Sequence, residues 1–203
     1  MERRTFLAGT AALSLTVTAQ PAAAKIPLSD LSSYLNSLKT AQGAFTQINS
    51  DGTLSKGTFF LARPGRMRFE YHDGALVLAG QGRLAIFDQK SNQGPQQYPL
   101  HQTPLSIILQ DRVNLSRAGM LMGHEFDGTA TSILAQDPDN PEYGSVRLKF
   151  TDSPTELRQW IVTDQSGQQT TVVLGKLDTG VRLRAGLFDI DRLVKEGSPR
   201  NDR

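Results

Sequence analysis

Apolar and polar residues alternate along the stretch 57–71, and this pattern predicts two β-strands joined by a tight corner. In the second of these strands every other residue from Met67 to Tyr71 is apolar, and the residues between them are charged. A period of two is typical of an antiparallel strand that is buried on one face. Pro64 and Gly65 lie at the corner, where proline fixes one backbone dihedral and glycine tolerates a positive φ. We therefore expect a β-hairpin with one apolar and one charged face.

Segments of similar character fill most of the remaining chain. Turn signals separate neighbouring segments at hairpin distances, for example at 50–52, 81–82 and 164–167. The predicted strands are 44–49, 57–62, 67–71, 76–79, 84–88, 96–100, 129–135, 145–150, 157–163, 169–174 and 181–183. The pattern predicts a mainly β, α+β fold built on one large antiparallel meander. A sheet with so many strands curls toward a barrel.

A helical periodicity precedes the first strand. Leucines at helical spacing are Leu28, Leu31, Leu35 and Leu38, so they share one face of an amphipathic helix. Ser29 or Asp30 is the expected N-cap residue. We predict one amphipathic helix at the start of the mature chain.

A second helical pattern interrupts the strands at 103–110. Thr103 suits the N-cap and Pro104 suits the first helical position. The apolar residues of this segment cover more than one stripe of the helix, and they are Leu105, Ile107, Ile108 and Leu109. Such a surface has to be buried. Two interpretations are open: a plug that closes one end of a barrel, or a movable lid over a lipid cavity.

The first 24 residues have the composition of an export signal. Arg3 and Arg4 precede a mostly apolar stretch, and the alanines at 22–24 supply the small residues of a cleavage site. The apolar stretch is shorter than the roughly 20 residues that a membrane-spanning helix needs, so we expect cleavage. The paired arginines resemble a twin-arginine signal, and the general secretory route is the alternative. Residues 25–203 are then expected to form one domain in the periplasm.

Composition narrows the classes of function. The sequence contains no cysteine, which excludes disulfides, thiolate nucleophiles and cysteine-ligated metals. The formal net charge of +2 falls to +1 once the signal is removed, because Glu2, Arg3 and Arg4 leave with it. The remaining basic residues are scattered among acidic ones, so no nucleic-acid partner is expected.

Residues suited to catalysis are few and scattered. The histidines His72, His101 and His124 lack the close spacing of common metal motifs. No Gly-x-Ser-x-Gly elbow presents a nucleophile. The acidic stretch 137–142 suits a plain turn, with weak calcium binding as the alternative. We therefore predict a binding protein and not an enzyme, with no catalytic residues, metal or cofactor.

Five short pieces of this sequence occur, in the same order and at matching spacing, in periplasmic lipoprotein carriers of the Lol system. They are Phe45-Thr46-Gln47, the Arg63-Pro64 corner within 57–71, Gly82-x-Leu84 followed by Phe87-Asp88, Tyr98-Pro99-Leu100 and Thr103-Pro104-Leu105. Over 31–188 the chain thus resembles the LolA family. The resemblance implies an unclosed antiparallel barrel of about eleven strands, covered by the N-terminal helix and a short helical lid.

The resemblance also implies a function and its partners. Such carriers are periplasmic chaperones whose cavity receives the acyl chains of lipoproteins from an inner-membrane ABC transporter. They release this cargo to an acceptor at the outer membrane or to the outer membrane itself. The chain is accordingly expected to bind lipoproteins and to act as a monomer. Its expected partners are the inner-membrane ABC transporter and the acceptor at the outer membrane.

Particular residues take roles through the same resemblance. Arg63 stands where the family has the arginine that latches the lid, and Met67 stands where an apolar residue faces the lid and cavity. The expected lid consists of Pro104, Leu105, Ile107, Ile108 and Leu109. The expected wall of the acyl-chain cavity consists of Phe59, Leu61, Met67, Phe69, Tyr71, Leu78, Leu84 and Ile86, some of which we expect to be plain core.

Two other functions are open at this point. One is a lipid-binding sensor or shuttle for another hydrophobic ligand, built on the same fold. The other is a periplasmic hydrolase whose site has no recognisable motif.

Overall fold

The computed structural model describes residues 24–88 and 94–196, so the predicted signal, apart from residue 24, lies outside the described residues. Within them, eleven strands form one antiparallel sheet that does not close, in the order β6-β5-β4-β3-β2-β1-β11-β10-β9-β8-β7. The strands are β1 Thr40–Ile48, β2 Leu54–Ala62, β3 Arg66–Tyr71, β4 Leu76–Gly80, β5 Arg83–Phe87, β6 Gln96–Pro99, β7 Leu121–Phe126, β8 Ala130–Gln136, β9 Ser145–Thr151, β10 Glu156–Thr163 and β11 Gln169–Thr179. The predicted fold class is confirmed.

The sheet consists of two meanders joined at its centre. Strands β1 to β6 pair consecutively, and so do β7 to β11. The two halves meet where β1 pairs with β11. Strands β6 and β7 therefore lie at the two edges, which leaves the barrel open between them.

Two details of the strand prediction are wrong. The strand expected at 181–183 has no ladder partner, and the chain there leads into a 3₁₀ turn at Ala185–Phe188. Strand β7 was not predicted, because it has Gly123, His124 and Glu125 at its middle and its pairing with β8 shifts register between Leu121 and Gly123. An edge strand with a bulge needs no strict alternation of apolar residues.

Three α-helices accompany the described sheet: α1 Leu28–Ser37, α2 Ser106–Leu109 and α3 Ile190–Glu196. Helix α1 lies where the leucine spacing placed it. The predicted caps are wrong at both helices. Pro27 holds the N-cap position of α1 without a side-chain hydrogen bond. Thr103 precedes α2, and its hydroxyl donates to Leu100 O over 2.8 Å instead of capping the helix. Pro104 is not the first helical residue as predicted, because α2 begins at Ser106 and Leu105 holds its N-cap position.

The main core fills the concave side of the sheet. Buried leucines of α1, including Leu31 and Leu35, and the apolar residues of α2 belong to the same cluster as the inward residues of the strands. Aromatic rings form its centre. Phe69 contacts Phe45 at 5.0 Å and Trp160 at 6.0 Å between ring centroids, both edge to face. Helices α1 and α2 thus cover the inside of the half-barrel.

A second apolar cluster lies on the convex side of β3 to β5. The residues of the 3₁₀ turn and of α3, among them Phe188 and Ile190, cover outward residues of β4 and β5. Gly80 permits this close approach, because a Cβ atom there would lie 2.3 Å from Phe188 O. The outward Arg68 is consequently buried, and its Nη1 donates to Leu187 O over 2.9 Å. The expectation that only one face of β3 is buried is therefore wrong.

Candidate functional site

Helix α2 lies across the concave side of the barrel with its apolar residues turned inward. Ile107, Ile108 and Leu109 are all buried in the main core. Pro104 and Leu105 precede the helix and border a groove beside it. The structure thus brings the five expected lid residues into one segment over the inside of the sheet.

Arg63 connects this segment to helix α1. Its guanidinium donates from Nη1 to Leu35 O, near the end of α1, and from Nη2 to Gln110 O, directly after α2. The backbone reinforces the contact, since Gly65 N donates to Leu109 O over 2.8 Å and Arg63 N donates to Lys39 O over 2.8 Å. One side chain therefore holds the two helices that cover the hollow.

Arg63 is a buried cation. The residue is only 7% exposed, and among the described residues no carboxylate forms an ion pair with it. Burial lowers the pKa of its guanidinium, and the negative charge of Asp111 acts in the opposite direction. An arginine keeps its proton at any physiological pH, so a cation is buried here. Its Nε is also buried and has no hydrogen-bond partner in the described part of the chain.

Two further polar side chains of α1 hold the chain that follows α2, and the sequence analysis did not identify either. Asn36 Nδ2 donates to Val113 O over 2.8 Å, and Val113 N donates to Asn36 Oδ1 over 2.9 Å. Leu115 N donates to Ser32 Oγ over 3.2 Å. Helical positions 32 and 36 are one turn apart, so they share a face. That spacing was the available signal.

Beneath α2 lies a small apolar hollow of about 20 Å³. This volume has room for about one water molecule. Arg63 and Met67 contribute to its lining, as do Phe59 and Leu61 of the predicted wall and Ile108 of the lid. Other lining residues come from α1 and the second half of the sheet: Leu35, Leu38, Leu157, Trp160, Leu174 and Leu177. The lid side chains thus fill most of the space that the sheet encloses.

Other predicted wall residues lie around this hollow. Phe69 packs in the main core between Phe45 and Trp160. The hydroxyl of Tyr71 donates to Gln47 Oε1 over 2.6 Å. Burial, with a smaller contribution from the charge of Asp73, raises the pKa of Tyr71 to about 12.

Leu84 and Ile86 lie in a separate open groove. The groove has a volume of about 410 Å³ and runs between β5, β6, the residues before α2 and the turn after β10. Tyr98, Pro104 and Val162 are among its other apolar residues. These two wall residues therefore border the outer rim of the lid and not the hollow beneath it.

Leu78 does not belong to the cavity. It is fully buried in the second cluster, on the convex face under the C-terminal segment. Its partner across the ladder is Arg68, which points to the same outer face. In β4 the residues on both faces are apolar, so alternation alone could not distinguish the inward Val77 and Ala79 from Leu78.

The histidines do not form a cluster in the described residues. His124 Nε2 lies 2.9 Å from Ile26 O, so this side chain ties the start of the described chain to β7. Among residues 24–88 and 94–196 no three His, Asp or Glu side chains are grouped to hold a metal ion. In the same residues no helix has the length and apolar character to cross a membrane.

Comparison with known proteins assigns the chain to a family. The family model described as "Outer membrane lipoprotein carrier protein LolA" matches residues 36–191. A protein from Methylococcus capsulatus named outer-membrane lipoprotein carrier protein is 26% identical over 178 residues, which cover 80% of this chain and 82% of that protein. A protein of the same name from Cupriavidus pinatubonensis is 23% identical over 202 residues, covering 93% and 94%.

Solved structures are similar at lower identity. A LolA superfamily protein from Nitrosomonas europaea has 13% identity and a TM-score of 0.42, over 83% of this chain and 100% of that chain. The family match at 36–191 spans all eleven strands of the described half-barrel together with Arg63 and helix α2. The chain belongs to the family of outer membrane lipoprotein carrier proteins, LolA.

Proposed function

We propose that this protein is a periplasmic chaperone that binds the acyl chains of lipoproteins and carries them from the inner to the outer membrane. The observation that carries the proposal is the latched helix α2, whose side chains occupy a hollow that is otherwise apolar. Family membership supports the choice of cargo. The inner-membrane ABC transporter and the outer-membrane acceptor are the proposed partners, and the working state is a monomer.

The energetics of the cargo explain why a carrier needs such a hollow. Each acyl CH₂ removed from water contributes about 0.8 kcal/mol, so one long chain contributes on the order of 12 kcal/mol. A binding site that realised all of this free energy would retain its cargo. In this protein, Ile108 and its neighbours already occupy the space, so a ligand has to displace them and binds with a smaller net free energy.

The bonds that close the lid are few enough for reversible opening. Arg63 Nη2 donates to Gln110 O, Gly65 N donates to Leu109 O, Leu115 N donates to Ser32 Oγ, and Asn36 exchanges two hydrogen bonds with Val113. A net contribution of about 1 kcal/mol for each bond gives a latch on the order of 5 kcal/mol. Such a latch competes with an acyl chain without excluding it. Transfer then proceeds downhill to an acceptor that binds the cargo more tightly.

The proposal is tested with spheroplasts that carry a labelled outer-membrane lipoprotein. Purified mature protein is incubated with them, and native mass spectrometry shows which species leave the membrane. We expect a one-to-one complex of protein and lipoprotein whose formation depends on ATP in the spheroplasts. Absence of that complex contradicts the proposal; a bound small lipid in its place indicates a lipid sensor or shuttle.

Two variants connect this assay to the latch. Arg63→Leu is expected to fold and to take up cargo, but to pass it on poorly, because its unlatched lid no longer competes with the ligand. Arg112→Leu is the matched control, since Arg112 is an exposed arginine shortly after helix α2. Normal onward transfer by a folded Arg63→Leu protein contradicts the role of the latch.

A further inference from the structure

Arg63 has hydrogen-bonding capacity that the closed protein does not use. It supplies the one charged group among the described residues that line the hollow. Its Nε is buried without a partner, although the residue is only 7% exposed. A buried donor that lacks an acceptor is destabilising, and more so when it is charged. A latch function alone leaves this donor unexplained.

Opening of the lid leaves the guanidinium of Arg63 with fewer hydrogen-bond acceptors. Nη2 donates to Gln110 O, which lies directly after α2 and moves with it. Nη1 donates to Leu35 O on α1, on the other side. Nη2 also has a long contact of 3.5 Å to Asn36 Oδ1 on α1, which stays in place. When α2 leaves, the guanidinium therefore has an unpaired Nε and an Nη2 that has lost its short hydrogen bond, beside a space lined by Met67 and other apolar residues. A hydrocarbon chain that enters this space has no atom that can accept a hydrogen bond from Nε or Nη2.

We infer that Arg63 binds an oxygen acceptor at the head of the acyl chain, so that the hollow selects acyl chains with a carbonyl group over plain hydrocarbon. The ester carbonyl of a glyceride-linked chain and the carboxylate of a free fatty acid share this chemistry. Nε and Nη2 lie on one side of the guanidinium and can donate as a pair to one oxygen or to a carboxylate. The inference rests on the proposed function in that the hollow is taken to accept acyl chains.

The test compares three ligands of equal chain length with purified protein in the absence of membranes. Methyl dodecanoate, dodecanoate and dodecane are titrated below their aggregation limits against a displaceable fluorescent apolar probe. We expect the ester and the carboxylate to bind the wild-type protein about tenfold or more tightly than dodecane. The relative affinity of ester and carboxylate distinguishes the two sources of the acceptor. In addition, the stretching frequency of an isotope-labelled ester carbonyl should be lower when this ligand is bound to the wild-type protein than when it is bound to Arg63→Leu.

Variants separate recognition of the head group from opening of the lid. Arg63→Leu removes both the latch and the donors, so its affinity for all three ligands changes, but the preference for a carbonyl should disappear. Asn36→Ala weakens the lid through its bonds to Val113 and keeps the guanidinium, which loses only the 3.5 Å contact from Nη2 to Asn36 Oδ1, so it should retain the preference. The ratio of affinities within one variant cancels the effect of lid opening.

The outcomes distinguish this inference from the proposed function. Equal binding of the three ligands by the wild-type protein, or an unchanged preference in Arg63→Leu, overturns the inference and leaves the carrier proposal standing. A preference that depends on Arg63, together with no release of lipoprotein from spheroplasts, supports the inference and overturns the carrier proposal. If none of the ligands binds the wild-type protein, the inference is overturned, and the spheroplast assay decides the carrier proposal by itself.

Discussion

The side chain of Asn36 and the main chain of Val113 form a closed pair of hydrogen bonds. Nδ2 donates to Val113 O over 2.8 Å, and Val113 N donates to Oδ1 over 2.9 Å. An amide side chain that satisfies both groups of one peptide residue imitates a strand partner. Val113 itself is 1% exposed, so this pair fixes the chain after α2 against α1 at a buried point. The lid is therefore held at the C-terminal end of its helix, by Gly65 at Leu109 and by Asn36 beyond it.

Removal of this pair should loosen the lid without disturbing the sheet. Asn36→Ala leaves the N–H and C=O of Val113 without partners, and we expect the free energy of unfolding to fall by about 1–3 kcal/mol. Limited proteolysis should become faster within 103–120. Asn114→Ala is the control, because Asn114 lies next to Val113 but is exposed, and its side chain accepts a hydrogen bond from the neighbouring Ser116 N. Equal protease resistance of the two variants would contradict the role of Asn36.

Helix α2 is expected to compete with ligand through Ile108. Ile108→Ala removes side-chain volume from the lid, so the empty state should lose about 2–4 kcal/mol of stability. Acyl ligands should then bind more tightly, because less packing has to be displaced. Calorimetric titration with dodecanoate measures this change.

Leu78→Ala is the matched control for this prediction. Leu78 and Ile108 are both buried, but Leu78 lies in the second cluster, on the convex face of the sheet. We expect a similar loss of stability and an unchanged affinity for dodecanoate. If both variants bind more tightly, loss of stability and not competition by the lid controls affinity.

Tyr71 should make the stability of the fold depend on alkaline pH. Burial raises its pKa from 10.0 to about 12, so the folded state favours the neutral phenol. This contribution is complete below pH 10.0, where both states keep the proton, and it is lost as the pH rises through about 12. Urea unfolding between these two pH values should show a decline in stability that is smaller in Tyr71→Phe. An identical decline in both proteins would contradict this assignment.

The strands of the sheet were largely predictable, because their inward residues alternate and their turns carry Gly, Asn and Asp. The stretch 57–71 became β2, a corner and β3 as the pattern indicated. Strand β7 escaped prediction since an edge strand with polar residues at its centre has little periodicity. The segment 181–183 has apolar residues but no neighbour to pair with in the sheet. Local propensity does not determine pairing, which depends on the whole topology.

The site was predictable only in part, for a physical reason that differs from residue to residue. The lid segment could be predicted because its apolar residues cover more than one stripe of a helix and therefore have to be buried. The role of Arg63 could be predicted only through the family resemblance. Leu78 was assigned to the wrong face because helix α3 was not predicted. Without α3, nothing indicated that the convex side of β4 is also covered. Asn36 could have been found only through its helical spacing from Ser32, since its own partner is the main chain of a residue 77 positions away.

Hydrogen exchange at three backbone amides tests the latched lid most directly. The amides of Gly65, Val113 and Leu115 donate to Leu109 O, Asn36 Oδ1 and Ser32 Oγ, so each is bonded only across the closed lid. Opening on loading should expose them to solvent, whereas ladder amides between β2 and β3 keep their partners. We predict that exchange at these three amides becomes faster when a triacylated peptide is bound and that exchange at the ladder amides stays unchanged. Equal or slower exchange at the three amides in the loaded protein would contradict the central claim that cargo displaces a latched lid.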